Sequence, residues 1–102
     1  MAQPQVESRG RSTCRKQVTG TSASKIVHHN YNRIAIIFSP HTTNRCTIGN
    51  DSNIPDLGGM VIEPAGPPLQ LDVGTYGPLV TDELWAIASG SGTNIGIVEV
   101  FQ

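Results

Sequence analysis

A chain of 102 residues with a formal net charge of −1, two cysteines and 37% hydrophobic residues has material for one small domain and too little for two. It contains no apolar run near the roughly 18–20 residues a membrane-crossing helix requires, and residues 1–20 lack the apolar core of a secretory signal, so synthesis in the cytoplasm is expected. The net charge hides an asymmetry: residues 1–50 hold all seven basic residues (Arg9, Arg11, Arg15, Lys16, Lys25, Arg33, Arg45) and one acid, Glu7, whereas residues 51–102 hold seven acids and no Lys or Arg, so +6 faces −7.

From the N-terminus, residues 1–24 offer Val6 and Val18 as their only large branched apolar side chains. Such a stretch cannot offset its ordering entropy by burial, and it reads as a flexible basic arm in which Cys14–Thr19 is the one segment able to pair as an edge strand. Residues 25–102 read as a β-sandwich domain. Ser24–His28 is a first short strand. Arg33–Ser39 is a β-branched run stopped by Pro40, and its near-continuous apolar character predicts burial on both faces. Arg45–Gly49, Gly59–Glu63, Leu69–Asp72, Leu79–Val80, Leu84–Ala88 and Asn94–Phe101 follow. In the last of these Ile95, Ile97 and Phe101 share one face, which Glu99 interrupts. Trp85 and Phe101 lie in apolar strand patterns and are expected in the core. Turn residues such as Gly49-Asn50-Asp51, Gly58-Gly59, Pro64–Pro68 and Ser89–Gly92 recur every eight to twelve residues, and no segment keeps a helical period for ten residues. That is the pattern of an all-β protein, a small antiparallel β-sandwich with a jelly roll as one form of it.

A body of this size buries only about 60% of its unfolded surface, and the sequence offers neither a disulfide framework nor a zinc-type ligand spacing to support it. Oligomerisation, or docking on a larger assembly, is the remaining support. Enzymatic chemistry finds no footing. His28 and His29 are adjacent in a strand and face opposite sides, so they cannot share a metal. Cys46 near His41 carries no sign of an activated thiol, and the glycine-rich segments lack the following helix that phosphate binding needs. No catalytic, cofactor-binding or metal-binding residue is expected.

The arm cluster Arg9, Arg11, Arg15 and Lys16 suits either phosphates or an acidic protein surface. Aromatic residues are few, no base-stacking platform is present, and the acidic second half repels a polyanion, so a protein partner is favoured over nucleic acid. The expected protein contacts are Val6, Arg9, Arg11, Arg15, Lys16 and Val18. Two arrangements of the charge remain open: the arm of one subunit lies on the acidic body of its neighbour, or the charges mix on each folded surface.

The order of three blocks, Asn30–Ser39, Thr47-Ile48-Gly49 with Gly58–Ile62, and Tyr76–Val80 leading to Glu83–Ala88, resembles small β-sandwich virion proteins of tailed bacteriophages, of the capsid decoration or cement type. The resemblance spans about Ser24 to Phe101. It implies a structural protein bound in many copies to the outside of a phage head, with the major capsid protein as partner, a homo-oligomer with a trimer favoured, and the virion surface as location. It also leaves open a tail or head-fibre component that contacts a receptor or glycan. It brings no catalytic residues.

Overall fold

The computed structural model describes residues 11–40 and 44–102. Val6 and Arg9, two of the expected contacts, and His41 lie outside them. Among the described residues eight strands make two four-stranded antiparallel sheets: β1 (Arg11–Thr19), β2 (Ser24–Val27), β3 (Arg33–Pro40), β4 (Cys46–Gly49), β5 (Met60–Ile62), β6 (Leu69–Asp72), β7 (Leu84–Ala88) and β8 (Thr93–Phe101). The first sheet runs β1-β8-β3-β6 and the second β2-β7-β4-β5, the layered arrangement of a β-sandwich. A one-turn helix, α1 (Val73–Tyr76), and a 3-10 turn (Gly77–Val80) connect β6 to β7. Asp72 caps α1 by accepting from the Thr75 backbone N–H at 2.9 Å, as a carboxylate does at a helix start.

Alternation along the strands builds the core. On β8 the residues Ile95 and Ile97 turn inward and Val98 and Val100 outward, while on β7 Leu84, Ala86 and Ala88 are buried and Trp85 and Ile87 are not. Ile36 and Phe38 of β3, Ile48 of β4, Leu71 of β6 and Val80 complete an interior with no solvent exposure at these five side chains. At about 25 cal/mol per Å² of apolar surface removed from water, this layer is the main stabilising element.

Four sequence expectations differ from the fold. Arg11–Thr19 is not separate from the body: it pairs residue for residue with β8, from Arg11 opposite Phe101 to Thr19 opposite Thr93. Backbone pairing on an existing strand supplies what this segment lacks in apolar side chains. β3 is covered on one face only, because the second sheet packs against Ile36 and Phe38 while Ala35 and Ile37 remain half-buried on the outer face. Leu79–Val80 lies in the 3-10 turn, where Pro78 removes a ladder donor. Trp85 points out of the sandwich beside Lys25, whose ammonium sits 5.7 Å from the ring centre, and Phe101 is half-buried at the rim.

Candidate functional site

The largest irregularity in the apolar interior is a charged one. Arg33 is 1% exposed and Glu99 8%. Simple alternation from Ile36 and Phe38 would send Arg33 outward. A bulge between Arg33 and Ala35, with Ile34 as the extra residue, shifts the phase so that Arg33 turns in. Its Nε then donates to the Val80 carbonyl at 2.7 Å, Nη1 to the His28 carbonyl at 2.9 Å and to Glu99 Oε1 at 2.8 Å, and Nη2 to the Asp82 carbonyl at 2.6 Å. One side chain of the first sheet thus ties down the end of β2, the 3-10 turn and the approach to β7.

Glu99 occupies the inward position two residues after Ile97 on β8. Its second oxygen, Oε2, accepts from Arg15 Nη1. Arg15 stands opposite Ile97 on β1, so it reaches Glu99 along the cross-strand diagonal, and its Nη2 donates to the Ile26 carbonyl of β2. Two guanidiniums and one carboxylate therefore join the two sheets where their edge strands β1 and β2 run side by side. A recess of about 460 Å³ opens there, with Thr13, Arg15, Gln17, Lys25, His29 and Phe101 among its walls.

All four ion pairs among the described residues join a cation of residues 1–50 to an acid of residues 51–102: Arg15 and Arg33 to Glu99, Lys25 to Glu83, and Arg45 to Asp56. The separation seen along the sequence is thus mixed within one folded chain. The Lys25 hydrogen bond is the main cause holding the Glu83 carboxyl below its usual range. The expected contact residues divide accordingly. All four described ones, Arg11, Arg15, Lys16 and Val18, are exposed along β1, but Arg15 is committed to the internal network; among the described residues, Arg11 and Lys16 have no carboxylate partner. The other edge of β1 is unpaired within the described chain. Sequence reasoning missed Arg33 and Glu99 as an interior pair, although Glu99 on an otherwise apolar strand face was the available signal.

Cys14 is exposed and Cys46 buried, both as free thiols. Burial, and secondly the charge of Asp56, push the Cys46 thiol up to about 11, which leaves it protonated and a poor nucleophile at neutral pH. Among the described residues no group of three or more His, Cys, Asp and Glu side chains is placed to hold a metal ion, and no helix is long and apolar enough to cross a membrane.

No family model matches the chain, and no curated protein matches it. Among solved structures, a chain of the Bacillus endospore appendages, described as a novel family of disulfide-linked pili, is 10% identical with a TM-score of 0.53, the match covering 91% of this chain and 86% of that one. At that identity the likeness is one of fold.

Proposed function

We propose that this chain is a non-enzymatic structural subunit of a larger particle, a capsid decoration protein that binds the outside of a phage head with the major capsid protein as its partner. The observation that carries the reading is β1: a nine-residue edge strand with one side unpaired among the described residues, exposing Arg11, Lys16 and Val18. Long edges are ordinarily shielded, and strand addition to an open edge is a common mode of protein recognition. Positive charge along this edge opposes pairing with its own copy and favours an acidic or neutral partner. Repetition on a lattice makes modest contacts per copy sufficient.

The test is cosedimentation of the purified chain with phage heads lacking it. Saturation at hundreds of copies per head, lost in an Arg11→Glu, Lys16→Glu, Val18→Asp variant that still folds, is the expected result. Absence of binding to any head preparation, or binding unaffected by the variant, rejects it. A second reading, a fibre component, is favoured by the fold shared with an appendage pilus chain; filaments seen by electron microscopy in the purified protein would select it.

A further inference from the structure

The recess between β1 and β2 has a charge balance that the internal network does not close. Its walls carry three cations, Arg15, Lys25 and Arg33, and one carboxylate, Glu99. Lys25 is held by Glu83 outside it, at 2.9 Å. Both Glu99 oxygens are taken, one by each arginine. Two guanidiniums against one carboxylate leave one positive charge unmatched at the open recess.

The spare donors belong to Arg15. A guanidinium has five N–H groups. Among the described residues Arg33 places four hydrogen bonds, whereas Arg15 places two, to Glu99 and Ile26, with its side chain 37% exposed. Glu99 and Ile26 fix its fork in place, so the ordering cost of a binding arginine is already met by folding. Thr13, Gln17 and Asn30 add neutral polar groups around it, and Ile26 and Phe101 supply an apolar wall.

We propose that this recess binds a carboxylate, received by the free N–H donors of Arg15, with the body of the ligand against Phe101. A single excess charge and a planar fork match one carboxylate, while a phosphate dianion would meet too little positive charge beside Glu99. A volume of about 460 Å³ admits an acidic peptide side chain or a sugar acid and excludes a nucleic-acid duplex. The inference stands independently of the particle reading.

The test is an amide NMR titration of the full chain with a blocked glutamate dipeptide and, separately, with glucuronate, each at constant ionic strength against sodium chloride. Saturable shifts at Thr13, Gln17 and Asn30 with either ligand support the site, and the tighter of the two identifies the source. Arg15→Gln is expected to weaken binding at least about tenfold, the scale of one charged hydrogen bond. Thr13→Glu, which tethers a carboxylate at the rim, is expected to abolish it, and decides the matter if Arg15→Gln does not fold. Shifts no larger than those of chloride, or shifts that survive Thr13→Glu, overturn the proposal.

Discussion

Replacing Arg33 with methionine (R33M) keeps an apolar stem of similar length and removes the guanidinium, and the structure sets the scale of the loss. The carbonyls of His28, Val80 and Asp82 each lose a buried donor, and Glu99 is left with Arg15 alone. An abandoned buried acceptor costs about 1–3 kcal/mol, and breaking a buried ion pair from one side costs about 3–5 kcal/mol. These overlap, so about 4 kcal/mol is expected, a large part of the 5–15 kcal/mol typical of a domain. The thermal midpoint should fall by about 15–30 °C, and the urea midpoint by about 2 M or more, read by Trp85 fluorescence and circular dichroism. The double variant R33M/E99L also removes the carboxylate whose Oε1 has lost its donor, and leaves Arg15, already partly in water; it should recover at least half of the deficit. A loss below about 1 kcal/mol in R33M, or a double variant no more stable than the single one, refutes the assignment of Arg33 and Glu99 as the interior tie.

Four further outcomes follow from other parts of the molecule. A Cβ at Gly59 would lie 2.6 Å from the Ile48 carbonyl oxygen, so Gly59→Ala should cost about 1–3 kcal/mol through displacement of β4 or β5, measured by chemical denaturation. Iodoacetamide should label Cys14 in the folded protein and Cys46 only after unfolding, as peptide mass mapping would show. The folded state holds Cys46 protonated, its pKa raised from 9.0 to about 11. Its contribution is therefore full below pH 9 and lost as pH rises through 11, roughly 2–3 kcal/mol in all, and Cys46→Ala should remove that part of the alkaline decline. Deletion of residues 1–20 takes β1 away and should lower urea stability by several kcal/mol or cause aggregation through the bared β8 edge.

The body was legible where one signal dominated. Leu69–Asp72 and Leu84–Ala88 form strands over those same residues, because alternation and turn chemistry agree there. β1 was only half legible, since its partner is β8 and nothing in its own composition announces a strand whose stability comes from long-range pairing. Arg33 was hidden for a different reason: a bulge changes the parity of a strand without leaving a mark in the residue pattern, and parity is what assigns inside and outside. Arg15 lies exposed on β1 like Arg11, Lys16 and Val18, and it was indistinguishable from them by sequence because its pairing depends on Glu99, a residue almost a whole chain away.

The pairing of β1 with β8 also dictates a timetable. Translation runs from β1 toward β8, and β8 is the strand that joins β1 to β3 in the first sheet. Until it emerges from the ribosome, β1 has no neighbour and β3 has only β6. The second sheet needs nothing later than β7 and can assemble first. Every nascent chain therefore passes through a half-built state with bare strand edges, closed by contacts of long sequence separation that form slowly. The exposed basic side chains of β1 would serve in that interval to keep neighbouring nascent chains apart.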